Sequence, residues 1–195
     1  MEHPTPSNQP EPQPAEAERE PVSDTRIYVA SLSDYNDGRL HGAWLDATAE
    51  PDELTEGVTA MLARSPIPGA EEYAIHDYEG FGPLALGEYA AIEHIARLAN
   101  GIVEHGIAFA HYADQVGDDL EALDQFEDRF QGRWDSMVAY TDELLDSLGL
   151  DAGRCTGLPD FVRPYVSIDS AALARDLTSE LSVREDADGI YVFDP

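Results

Sequence analysis

The sequence predicts an α+β protein built as three successive small units, and three observations lead there. Short β-branched and aromatic runs stand near both ends of the 195-residue chain, Ile27 to Leu32 and Ile190 to Phe193. Between them apolar residues recur at the three- and four-residue spacing of amphipathic helices. The hydrophobic fraction is 43%, enough for a folded core despite a formal net charge of −29.

Residues 1–24 read as a disordered tail. Pro4, Pro6, Pro10, Pro12, Pro14 and Pro21 sit among Glu11, Glu16, Glu18 and Glu20, with almost nothing apolar to bury. The first α+β unit is expected over 25–86. Ile27 to Leu32 is its opening strand, and Asn36-Asp37-Gly38 is a turn able to accept positive φ. Leu40 to Leu45, containing Trp44, is the return strand. Pro51 suits the first turn of a helix whose inner face is Leu54, Val58, Met61 and Leu62. Pro66, Pro68 and Gly69 end that helix, and Glu72 to His76 reads as a third strand.

A helical, acidic unit is expected over 87–157. Its first helix, Glu88 to Glu104, places Ile92, Ile95, Ala96, Ala99, Ile102 and Val103 on one face and closes at Gly106. Glu93 and Arg97, four apart, suggest an intrahelical ion pair. The second helix, Asp118 to Phe130, would bury Leu120, Leu123, Phe126 and Phe130 and turn Glu121, Asp124 and Asp128 outward, with Glu127 at the edge of the apolar stripe. Asp118 followed by Glu121 has capping-box spacing. The third, Asp135 to Leu148, would bury Met137, Val138, Thr141, Leu144, Leu145 and Leu148, expose Asp142, Glu143 and Asp146, and stop at Gly149. The last unit, 158–195, reads as α+β: a strand over Tyr165 to Ile168, a helix capped by Asp169 and carrying Leu173, Leu177 and Leu181, and a turn at Asp188-Gly189 into the final strand.

Forty acidic residues face 11 basic ones, and every basic residue is arginine. Between Asp114 and Asp151 twelve acids meet only Arg129 and Arg133. That field repels nucleic acid and anionic membrane and attracts a strongly basic surface, such as a groove built to hold DNA. A salt-loving host or a GC-rich genome also yields acidic, lysine-poor chains; concentration of the acid in one unit is what points to function. The expected helix from Asp118 to Phe130 is about 20 Å long at about 1.5 Å per residue. Its six acids and one arginine would then give about one net negative charge per 4 Å, close to the about 3.4 Å spacing of phosphates along one DNA strand.

No apolar run is long enough to span a bilayer, and the N-terminus lacks the basic and apolar regions of a signal peptide. The single Cys155 excludes an intramolecular disulfide and a cysteine-based zinc cluster, and it suits a reducing cytoplasm. Catalytic patterns are missing: there is no H-E-x-x-H, no Glu-x-x-His pair, no P-loop, no G-x-G-x-x-G and no G-x-S-x-G. His76-Asp77 could begin a metal-dependent hydrolase site only if His94, His105 or His111 converged on it, and His94 is expected to face solvent. Asp34 to Gly38 fits a calcium loop loosely, with glycine one place early and the closing glutamate absent, and reads as a turn. No enzyme activity, cofactor or metal is expected.

Tyr73-Ala74-Ile75-His76-Asp77-Tyr78-Glu79-Gly80-Phe81, followed by Gly87-Glu88-Tyr89 and Ile92-Glu93, resembles the central signature of the ArdA antirestriction proteins. Ile27 to Leu32, Tyr35 to Gly38, Gly42 to Asp46, Phe126 to Gly132, Ala174 to Leu177 and Tyr191 to Phe193 fit the same family in order, leaving the Pro-rich tail outside. The resemblance implies an elongated, dimeric DNA mimic carried by mobile elements. It would occupy the DNA-binding groove of type I restriction–modification enzymes and block cleavage and often methylation. On that reading Asp124, Asp128, Asp142, Glu143 and Asp146 stand in for phosphates, beside Glu121, with Asp114, Asp119 and Asp151 extending the surface. Tyr73, His76, Asp77, Tyr78, Glu79, Phe81 and Glu88 form a mainly structural signature, in which Tyr78 and Phe81 anchor the first unit to the second. Two other classes remain: an acidic module for another basic DNA-binding protein, and a halophilic hydrolase using His76 and Asp77.

Overall fold

A computed structural model of the protein describes residues 25–150, 159, 161, 162, 165, 167–187 and 189–195. The expectations for the tail, Asp151 and Asp188 lie outside them. The chain opens with β1 (Arg26–Ser31), α1 (Leu32–Asn36), β2 (Gly42–Asp46), α2 (Pro51–Leu62) and β3 (Tyr73–Glu79). The three strands form an antiparallel sheet in the order β2-β1-β3. Alternation along β1 sends Ile27 and Val29 into the core, while Tyr28 pairs with Trp44 on the other face. Pro51 sits in the first turn of α2, which buries Leu54, Val58 and Met61.

Two boundaries in this unit differ from expectation. Leu32 does not end a strand; Ser31 caps the one-turn α1 by accepting from the Asp34 amide, and Leu40, expected in β2, is 85% exposed. β3 runs three residues further than expected, so His76 to Glu79 are strand residues. Asp77, Tyr78 and Glu79 pair with Tyr28, Ile27 and Arg26 of β1, and His76 is left out of the register at the bulge between Tyr28 and Val29.

The second half comprises α3 (Ile92–His105), α4 (Ile107–Val116), α5 (Leu120–Leu123), α6 (Phe126–Arg129), β4 (Phe130–Trp134), α7 (Met137–Ser147), α8 (Ser170–Glu180), β5 (Ser182–Asp186) and β6 (Gly189–Phe193). α3 begins four residues later than predicted. The stretch before it is a loop tied down by the Ile75 amide, which donates to the Glu88 carbonyl at 2.8 Å. α4 escaped the sequence reading because Ala108 to Ala113 are six consecutive buried residues, which leaves no polar face to mark a period.

The predicted helix over Asp118 to Phe130 is broken. It is two single turns with a reversal at Asp124-Gln125, and Phe130 leaves it as the first residue of β4. Leu123 and Phe126 both turn into the core, while Leu120, expected inside, is 46% exposed. α7 forms nearly as predicted, but its buried face is Tyr140, Thr141 and Leu145, with Val138 and Leu148 exposed. At its end the Leu150 amide donates to the Leu145 carbonyl around Gly149, whose φ is +66°.

In the last unit Asp169 caps α8 as predicted, accepting from the Ala172 amide at 2.9 Å. Tyr165, Ser167 and Ile168 belong to no strand; the partner of β6 is β5 instead. The second sheet is antiparallel in the order β4-β6-β5, with a bulge at Gly132 (φ +111°). A strand from the stretch expected to be helical is therefore hydrogen-bonded to the last strand. One core links Ile27 and Val29 of the first sheet, Phe81, Ile95 of α3, Phe109 and Tyr112 of α4, Phe126 and Phe193. A smaller cluster of Tyr140, Ile190 and Val192 lies beneath α7 and α8. Among the described residues no helix is long and apolar enough to cross a membrane.

Candidate functional site

The acid follows three different local logics. On α7, Asp142, Glu143 and Asp146 are all exposed, and none forms an ion pair with a described residue. The last turn of α7 carries no basic residue. Asp146, in that last turn, opposes the negative end of the helix dipole by roughly 0.3–1 kcal/mol, and Asp142 lies four residues before it as a like charge. Local stability gives no reason for them. The helix is set by Ser136, which accepts from the Ala139 amide, and by Tyr140, Thr141 and Leu145 beneath.

In the stretch 118–129 about half of the acid is engaged within the molecule. Asp119, not Asp118, is the N-cap of α5 and accepts from the Glu121 and Ala122 amides, both at 3.1 Å. Asp118 lies 3.4 Å from His94 Nε2, so His94, whose side chain is 15% exposed, is not the solvent-facing histidine expected. Arg97 does not pair with Glu93; its guanidinium reaches across to the Asp124 carboxylate. Asp124 is thus neutralised, contrary to the expectation that it faces solvent unpaired. Glu121, Glu127 and Asp128 are exposed without an ion pair to a described residue, Glu127 more openly than its place at the stripe's edge suggested. Arg129 is occupied by the Gln125 side-chain oxygen, at 2.9 and 3.1 Å. Asp114 is exposed on α4, one turn after the buried His111.

The 73–88 signature is held by packing and hydrogen bonds. Phe81 is 1% exposed in the core that joins the first sheet to α3 and α4, and Tyr78 meets it edge-on at 5.9 Å between centroids. Glu79 pairs with Arg26 at 2.5 Å, and that guanidinium lies 4.8 Å over the Trp44 ring. Burial pushes the Tyr73 hydroxyl up from its ordinary pKa, reinforced by Glu93. His76 is exposed and set edge-on to Tyr35, and Asp77 accepts from the Tyr78 amide at 2.9 Å.

His76 and Asp77 gather no further ligands. Among the described residues the one group of three potential metal ligands within 4.8 Å of one another is Glu104, His105 and Glu127. The hydrolase reading therefore loses its geometric basis.

Two ionisable groups escaped the sequence reading. Asp34 is fully buried, and the Ser65 hydroxyl donates to it at 2.6 Å. That bond, more than the Ser31 hydroxyl or the nearby His41 and Arg39, holds its carboxyl below the ordinary range against the opposing effect of burial. His111 is stacked on Tyr191 at 4.7 Å, and burial pushes its pKa down against the opposing pull of Asp186. Serine 31 residues away and arginine 27 residues away leave no periodic trace beside their partners, so neither contact was readable from spacing.

A family model described as antirestriction protein (ArdA) matches residues 27–192, most of the chain. No curated protein matches it.

Proposed function

The chain belongs to the ArdA antirestriction protein family, and we propose that it acts as a DNA mimic, filling the DNA-binding groove of a type I restriction–modification enzyme. Membership makes antirestriction its function and restriction enzymes its class of partner. The observation that most supports mimicry is α7: three exposed carboxylates within five residues, without an ion pair to a described residue, where Asp142 and Asp146 repel each other four residues apart and Asp146 opposes the helix dipole. Asp128, Glu121 and Asp114 add exposed charge from α6, α5 and α4. Asp119 and Asp124 contribute less freely, because each is already bonded inside the molecule.

The action we propose is occupancy without a catalytic step, in the cytoplasm, by an elongated homodimer of three-unit chains. Because β4 pairs with β6, we count β4 with the last unit. The single helix expected over Asp118 to Phe130 is replaced by two short turns, and α7 is the one of the two acidic helices that stays intact. The charge density calculated for a 20 Å helix does not apply. The array is a patchwork of short elements, each offering one to three charges.

Competition provides the test. The protein should displace a DNA duplex from a purified type I methyltransferase core, with an apparent affinity that falls steeply as salt is raised, because binding releases counterions. Failure to displace DNA at low salt would remove the mimic reading while leaving family membership intact. Recovery of a different basic DNA-binding protein as the stoichiometric partner would favour the acidic-module reading instead.

A further inference from the structure

The stretch 118–129 has no means of holding its own shape. α5 and α6 are four residues each, and helices of a single turn are unstable in isolation. Six acids crowd the stretch, and like charges at short spacing oppose order. Its shape comes from outside. Leu123 and Phe126 are buried against the core, and the Tyr112 hydroxyl donates to the Ala122 carbonyl at 2.8 Å.

The Asp194 amide donates to the Arg129 carbonyl at 2.8 Å, and further restraints come from α3. All three basic side chains of α3 meet this stretch or the core residue that anchors it. His94 faces Asp118, Arg97 holds Asp124, and the His105 ring lies 4.7 Å from that of Phe126. Spacings of three and eight residues put them along one side of α3. An isolated α3 gains nothing from Arg97 there; its local partner Glu93 is passed over for an acid 27 residues on.

We infer that Arg97 is a positioning residue for the acidic surface: with His94 it latches 118–129 onto α3, and Asp118 and Asp124 serve the latch rather than the partner enzyme. The inference rests on the DNA-mimic reading, and it reverses a sign. If Asp124 were a phosphate stand-in that Arg97 merely masks, removing Arg97 would add charge and strengthen inhibition. If Arg97 positions the stretch, removing it weakens inhibition although the surface becomes more negative.

The experiment is the DNA-competition assay with Arg97→Gln, Asp124→Asn, the double variant and Arg97→Lys, together with amide hydrogen exchange of each. Arg97→Gln should weaken competition roughly two- to fivefold, the range of a half-exposed ion pair. Asp124→Asn should weaken it equally, and the double variant no further, because both changes open one latch. Arg97→Lys should recover most of the loss. Exchange should quicken over residues 120–129 and stay unchanged along α7.

Equal or stronger competition by Arg97→Gln, additive losses in the double variant, or unchanged exchange over 120–129 would each overturn the latch. The control is reversal of Asp142 and Asp146 on α7. If that reversal also leaves competition intact, the mimic reading has failed. If it abolishes competition while Arg97→Gln does not weaken it, the latch alone has failed.

Discussion

Helix α7 and the stretch 118–129 look alike in sequence and fold unlike each other. Each combines apolar residues at helical spacing with outward acids and no local basic partner. α7 becomes an eleven-residue helix whose outer carboxylates remain uncommitted among the described residues. The stretch 118–129 becomes two turns whose acids are divided between a cap, two cross-chain pairs and solvent. The same charge therefore has two physical meanings. On α7 it opposes local stability and is available to a partner; before β4 much of it holds the chain in place. A buried acid such as Asp34 is a third case, wholly internal.

The largest effect should come from removing what shapes the folded stretch. Phe126 is 5% exposed and meets Phe109, Tyr112, Phe130, Phe193 and His105. Phe126→Ala should cost about 3–5 kcal/mol in denaturant unfolding, the usual range for deleting a buried aromatic. Val138→Ala on the exposed side of α7 should stay within about 0.5 kcal/mol. Similar costs at the two positions would mean that 118–129 is no more dependent on the core than the α7 surface is.

Next in size is charge on α7. Reversing Asp142 and Asp146 to arginine should weaken DNA competition about 100-fold, since like charges facing a basic groove cost several kcal/mol. The fold should be retained, because the reversed charges suit the C-terminal end of the helix dipole. Thermal unfolding equal to or above that of the parent, with competition lost, is the expected pair of results. Loss of both would reassign these acids to stability.

The reason one region was legible and the other was not lies in where their information resides. α7 and α8 carry their own signals: apolar spacing, Ser136 and Asp169 as caps, and Gly149 as a stop. β1 and α2 were equally readable, from a β-branched run and from Pro51. The break at Asp124-Gln125 has no local mark. Leu123 and Phe126 are three apart, as in a continuous helix, and only the pairing of Phe130 with Phe193 pulls the chain out of it. α4 was hidden for the opposite reason, being buried on too many sides to show a period. The ordered motifs identified the family, but sequence spacing assigned Arg97 to Glu93. The true partner lies on another element.

The smallest effect concerns the acid that faces no partner at all. The Ser65 hydroxyl bond depresses the Asp34 pKa in the folded protein, so the ionised carboxylate stabilises the fold above its ordinary unfolded value. That stabilisation fades as pH falls through the folded value. Ser65→Ala should therefore lower the urea midpoint most near neutral pH, with the gap to the parent closing as pH falls below the depressed folded value, where the carboxylate is protonated in both. DNA competition at a pH and temperature where both are folded should not change, because Asp34 is a buried residue of α1 and not one of the exposed carboxylates. A gap that widens in acid would show that Ser65 acts through packing and not through the charge on Asp34. A change in competition would mean that the internal acids and the surface acids do not divide the labour as their partners indicate.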